Sequence, residues 1–254
     1  MADMDREVAL HFRDQLRAAR ASALRDAEAF QEIVLVLERM GTFLSPGITN
    51  LGKKLLAIKS QATRSPMAEA VPTALPHFHQ QFDVKCTIVR EARNAAVHEG
   101  AVARHLTANA VELSLVLEEG IMSELRQVSD FMVRNPVCAY MWQPLSFIRQ
   151  TMLVNSFSYL PVQVEKQGNT GWRLISDFRL AQCLRKNGKV VTDGLVQRLE
   201  DAVRSGQIEL HPAKICGPQD KIETVLPTAD GFPTLVLFPD SNELLGILTP
   251  FDLL

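Results

Sequence analysis

The sequence predicts an α+β protein, with an antiparallel bundle of four or five helices over residues 1–127 and an α/β module over residues 128–254. Three observations predict it. Apolar residues recur at three- and four-residue steps through the first half, where no strand-like alternation occurs. After Val128, short β-branched runs alternate with helical stretches. That alternation occurs twice, over residues 128–190 and 205–254, so the second half reads as an internal repeat rather than one continuous sheet.

The elements follow in order. Val8, Phe12, Leu16 and Ala19 mark a first helix, and Phe30, Ile33, Leu37 and Met40 a second. Gly41 and the Ser45-Pro46-Gly47 cluster are expected to end it. Residues 50–61 form a third helix, before a proline-containing loop over 65–76. A fourth runs from about 80 to 98, with Gly100 as its C-cap. A fifth starts at Thr107 and continues through Leu113, Leu115 and Leu117 toward Val128. In the second half, residues 162–164, 172–175, 235–238 and 244–248 read as strands, and 145–152, 178–185 and 194–204 as helices. Trp142 and Trp172 are expected in a core or an interface.

Composition excludes several function classes. With 46% hydrophobic and 22% charged residues the chain has a globular composition, and no apolar run is long enough to span a bilayer. A net charge of −2 supplies no global attraction to nucleic acid or an anionic membrane. Cys86, Cys138, Cys183 and Cys216 are scattered without ligand spacing, so reduced thiols and no metal site are expected. Residues 1–6 lead into a charged helical pattern rather than an apolar leader, which makes a cytoplasmic location the expectation.

Two motifs carry chemistry. The run Gly246-Ile247-Leu248-Thr249-Pro250-Phe251-Asp252-Leu253-Leu254 reads as a strand turning into a helix. Gly246 permits close backbone approach to a ligand. Thr249 stands at the helix start, where its hydroxyl can cap free amides, and Asp252 lies three residues on, toward the same side. Such a pair can satisfy the vicinal hydroxyls of a ribose, or it can form a capping box. Together with the run from Val128 to Pro136 and with Tyr159-Leu160-Pro161-Val162, this segment resembles a tandem CBS pair over about half the chain. The resemblance implies a nucleotide-sensing regulatory module whose Thr249 and Asp252 hold the ribose of AMP, ADP or ATP. In the first unit the matching stretch departs: Ser176 keeps the hydroxyl, but Arg179 replaces the acid. An arginine cannot accept from ribose hydroxyls, though it can meet a phosphate. The second unit reads Pro233-Thr234-Leu235-Val236 and lacks the family's proline before valine. One nucleotide site is therefore expected rather than two.

The second motif lies on the fourth helix. Phe82, Cys86, Val89, Arg93 and Ala96 fall on one stripe, which Arg93 interrupts with a charge. Asn94 and His98 are four residues apart on an adjoining face. This resembles the Arg-x(4–6)-His element of the HEPN superfamily, helical bundles whose active members cleave RNA without metal across a homodimer interface. The resemblance implies proton transfer by His98, stabilisation of a phosphorane-like transition state by Arg93, and orientation by Asn94. Arg6 and His11 share the bare spacing, with Glu7 in place of the asparagine. Residues 1–127 carry 15 Lys and Arg against 16 Asp and Glu, so no broad basic footprint for RNA exists. The alternative is an arginine salt-bridged to a bundle carboxylate, with the histidine exposed at the helix end. Together the two resemblances imply a homodimer in which a nucleotide controls RNA cleavage, or else a non-catalytic sensor, oligomerisation or partner-binding regulator.

Overall fold

In the computed structural model the described residues are 4–26, 29–99, 104–166, 169–186, 189–190, 192–226 and 231–254. They form two units, Met1–Leu125 and Arg126–Leu254.

Asp5 opens the first unit by accepting from the Val8 amide at 2.9 Å, which caps α1 (Arg6–Arg25). Phe12, Leu16, Ala19 and Ala23 form its buried face. α2 (Phe30–Leu44) buries Ile33, Leu37, Met40 and Leu44 on the same helical period. Gly41 does not end this helix. It lies so close to the next one that a Cβ would stand 2.5 Å from the Cβ of Lys54, and the turn comes at Ser45 instead. The missing side chain thus serves helix packing, not termination. α3 (Leu51–Ala62) starts at Asn50, whose side chain accepts from the Lys53 amide at 3.2 Å. The expected loop holds a 3₁₀ turn, Pro66–Ala68, and a short helix α4 (Ala70–Ala74).

α5 (Phe82–Glu99) and α6 (Arg104–Met122) complete the unit; Gly100, expected as a cap, lies outside the described residues. α6 stops at Met122, short of the expected run toward Val128. It buries Leu113, Val116, Leu117 and Ile121 and packs against α1, α2, α3 and α5. The interior also holds paired charges. Glu118 binds Arg17 and, at 2.5 Å, Arg20, while Lys85, 1% exposed, meets Glu112 at 3.1 Å. Pairing is what makes such burial tolerable.

The second unit begins with α7 (Val128–Phe131) and β1 (Val133–Arg134). α8 (Leu145–Asn155), β2 (Tyr159–Lys166), β3 (Asn169–Ser176) and α9 (Asp177–Leu184) follow. A small hairpin of β4 (Arg185–Lys186) and β5 (Lys189–Val190) precedes α10 (Thr192–Val196) and α11 (Leu199–Arg204). The single helix expected over 194–204 is broken between these two. The Leu145 amide donates to the Gln197 carbonyl at 2.9 Å and the Leu199 amide to the Gln143 carbonyl at 3.0 Å, which pulls the backbone out of helical pairing. Then come β6 (His211–Pro212), β7 (Lys214–Cys216), α12 (Ile222–Val225), β8 (Thr234–Leu237), β9 (Leu244–Leu248) and a 3₁₀ turn, Pro250–Leu253.

The internal repeat is visible in the strand pairing. One sheet has the order β7-β8-β9-β1, parallel at its first pair and antiparallel afterwards. The other repeats this pattern: Ala139 bridges Val162 of β2 in parallel, and β2, β3 and β6 continue antiparallel. Each sheet therefore borrows its last strand from the other repeat, β1 from the first and β6 from the start of the second. Alternation along the strands divides the core. Trp172, Leu174, Leu235, Leu237 and Ile247 meet between the sheets. Leu160, Val162 and Ile175 pack under α8, α9 and α11, and Val236 and Leu248 pack with Val128, Met132 and Val225. With both faces buried, β8 reads as the near-continuous apolar run seen in the sequence. Trp172 is buried, as expected, and donates to the Asn242 carbonyl at 2.8 Å. Trp142 is not in a core of its unit: it is 63% exposed and stacks on Tyr140.

Candidate functional site

The exchange of strands brings the end of the second repeat beside the start of the first. There a cavity of about 610 Å³ opens, within the range of small-molecule sites. Val133, Asn135 and Val137 come to it from β1 and the loop beyond, Ser156 to Ser158 from the turn between α8 and β2, and Tyr159 to Pro161 from the start of β2. Ile247 of β9 and the turn from Thr249 to Asp252 close another side. Its walls are mainly apolar, with a carboxylate, hydroxyls and an amide converging on it.

Asp252 organises that turn. Its Oδ2 accepts from the Thr249 amide at 2.7 Å and from the Thr249 hydroxyl at 2.8 Å, the reciprocal arrangement of a capping box. An ionised carboxylate has about four acceptor sites, so these two bonds leave capacity for a ligand hydroxyl. Gly246 is approached closely within the protein itself. A Cβ there would lie 2.7 Å from the Met132 sulfur and 3.0 Å from the Val133 carbonyl oxygen. Its close approach is to β1, and it lets the borrowed strand pair.

Backbone strain collects at the same place. Among the described residues, Asn135 (φ 49°) and Ser156 (φ 56°) are the non-glycine residues with positive φ, and both line the cavity. Asn135 precedes Pro136, a position that sterically favours extended backbone. Residues held in such conformations concentrate at ligand sites. The run from Val128 to Pro136 carries part of the resemblance, but its sequence does not single out the positive φ of Asn135. Ser156 and Ser158 carry no sequence signal for a similar reason: they follow a helix, and only the strand exchange brings them, with Tyr159 of the Tyr159-Leu160-Pro161-Val162 run, to the cavity that Asp252 lines.

Ser176 and Arg179 do not reach this cavity. Ser176 is 3% exposed, and its hydroxyl accepts from the Arg179 amide at 3.2 Å while lying 3.2 Å from His211 Nε2. The Arg179 guanidinium meets Glu209 at 3.2 Å and the Gln182 side chain at 3.4 Å. The rings of His211, Tyr159 and Phe232 pack together beside them, with His211 and Phe232 5.0 Å apart. The hydroxyl and the guanidinium of the first repeat are thus engaged by the protein's own side chains.

In the helical unit, Arg93 is not sealed inside the stripe. Its side chain is 42% exposed and pairs with Glu38 of α2 at 3.5 Å, while Ala92 takes the buried position. The buried cation of α5 is Lys85 instead. Asn94 is exposed, and His98 is in the last turn of α5, with a side chain outside the described residues. Cys86, on the stripe, has its thiol pushed up to about 12, first by burial and then by the Asp83 charge. Burial, reinforced by Asp220, raises Cys216 to about 11. Neither thiol has the lowered value of a nucleophile. Among the described residues no group of three or more His, Cys, Asp or Glu side chains is placed to hold a metal, and no helix is long and apolar enough to cross a membrane.

No family model matches the chain, and no curated protein does. Half of it is similar to solved CBS-domain structures. A CBS domain-containing protein of Bacillus anthracis is 15% identical, with 50% of this chain and 88% of that one covered and a TM-score of 0.40. A CBS-domain protein of Agrobacterium tumefaciens is 15% identical, covering 50% and 94% at a TM-score of 0.37. A hexameric CBS-CP12 protein from bloom-forming cyanobacteria is 16% identical, covering 50% and 68% at 0.39.

Proposed function

We propose that the C-terminal unit is a CBS pair that binds one adenosine-containing ligand and thereby regulates the helical unit. The observation that carries this reading is the 610 Å³ cavity with Asp252 at its wall. An apolar enclosure suits a base, and a carboxylate with spare acceptor capacity suits the two ribose hydroxyls. The intramolecular partners of Ser176 and Arg179, and the missing acid there, support one site per chain rather than two. A regulatory effect requires only that the ligand prefer one of two states of the helical unit.

The helical unit is read as a HEPN-like, metal-independent endoribonuclease that works as a homodimer, with Arg93, Asn94 and His98 as its polar set. The partial exposure of Arg93 and the exposure of Asn94 support accessibility to a substrate phosphate. The Glu38 contact favours a second reading, in which Arg93 is structural and the protein is a non-catalytic sensor or partner-binding regulator. One experiment separates them: single-stranded RNA is incubated with the protein in chelator, with and without adenosine compounds. Cleavage leaving a 2′,3′-cyclic phosphate, lost in Arg93→Ala/His98→Ala, supports the nuclease. RNA left intact under all conditions supports the sensor. Calorimetry on Asp252→Asn tests the ligand site, where affinity should fall tenfold or more, about 1.4 kcal/mol.

A further inference from the structure

The charge around the cavity narrows what it can hold. Among the described residues that line it there is no Lys, Arg or His, and Asp252 is the one charged side chain. Arg134, next to Val133 in β1, is exposed and does not line it. Residues 227–230, which precede Gly231, contain no cation either. The α8 helix ends at the wall opposite, with its C-cap Ser156 lining the cavity, so this boundary adds the partial negative charge of a helix C-terminus rather than a cation. Phosphate sites are built the opposite way, from guanidinium or ammonium groups or from free amides at a helix start. The turn after β9 leaves at most the Phe251 amide, not a helix start with several free amides: the Thr249 amide is spent on Asp252, Pro250 has none, and the Asp252 amide donates to the Thr249 carbonyl.

We propose that this cavity takes an adenosine whose 5′ substituent is not anionic, and that it discriminates against AMP, ADP and ATP. The proposal rests on the ribose reading of Asp252 given above. A 5′ phosphate would bring negative charge beside a carboxylate and a helix C-terminus with nothing to neutralise it, at a cost of an order of magnitude or more in affinity.

Calorimetry of the full chain with adenosine, 5′-deoxy-5′-dimethylsulfonioadenosine, AMP and ATP tests this. Adenosine should bind at least tenfold more tightly than AMP, and raising the salt concentration should narrow the gap. The sulfonium compound should bind more tightly than adenosine where the wall field selects cations, and equally where it only excludes anions; either result supports the proposal. Val137→Lys, at a half-exposed wall position, should raise AMP affinity and leave adenosine's unchanged. AMP or ATP binding as tightly as adenosine, with both weakened by Asp252→Asn, would overturn the charge selection and leave the ribose site standing. Binding that ignores Asp252→Asn, or no binding of any of the four compounds, would overturn the ribose site itself and the selection with it.

Discussion

Cys86 shows how a single buried group ties stability to pH. Its thiol has a folded value of about 12 against 9.0 when unperturbed, because burial among the α5 stripe disfavours the thiolate. In the unfolded chain the same thiol ionises from about pH 9. The neutral folded thiol therefore contributes stability that is fully present below pH 9, and that stability drains away as pH rises toward 12. The slope is about 1.4 kcal/mol per pH unit for one group. Chemical denaturation between pH 8.5 and 10.5 should show it, and Cys86→Ala should lower stability overall yet flatten this part of the profile. Equal slopes in both proteins would show that the thiol ionises freely in the folded state. The stripe that buries Cys86 was legible from Phe82 and Val89 at helical spacing, but the depth of Arg93 was not. Periodicity gives a direction around the helix axis; whether a long arginine reaches past the edge to Glu38 depends on α2, which the spacing of α5 says nothing about.

At the scale of elements, helix contacts are set by what is missing as much as by what is present. α3 is approached closely from two sides, by Gly41 of α2 and by Gly120 of α6. A Cβ on Gly120 would stand 2.2 Å from the Gln61 carbonyl oxygen, and backbone atoms cannot rotate away as a side chain does. Gly120→Ala should therefore separate α3 from α6 and cost about 2 kcal/mol, the usual scale for overpacking. An alanine at an ordinary helical site would instead stabilise by about 1 kcal/mol, so the sign of the change in thermal unfolding decides the matter. The helices themselves were readable because each carries an apolar stripe over several turns. The strand exchange was not, because β1 and β6 are two residues long and no alternation develops in so short a run. Of the site, Thr249 and Asp252 stood out through their spacing, whereas the opposite wall comes from residues about a hundred positions earlier.

For the whole molecule, regulation is a statement about coupling between two units that each have their own core. Ligand at a hundred times its Kd stabilises the unit that binds it by about 2.7 kcal/mol, whether or not the other unit responds. Tightened strands in the second unit would therefore say only that binding occurs. The informative elements are α5 and α6, because they carry Arg93 and Asn94 and the helix that packs against them. Coupling free energies in allosteric proteins are typically about 1–3 kcal/mol, or roughly 5- to 150-fold in an equilibrium. Amide hydrogen exchange of the full chain should accordingly change in α5 and α6 at saturating adenosine by a factor in that range. The direction reports which state the ligand prefers: slower exchange means that binding favours the closed bundle, and faster exchange that it favours a loosened one. Linkage requires the reciprocal effect as well, so an RNA that binds the helical unit must shift adenosine affinity by the same factor. If exchange in α5 and α6 is unchanged while β8 and β9 slow, the cavity is a binding site without a regulatory output in this chain, and the two units act independently.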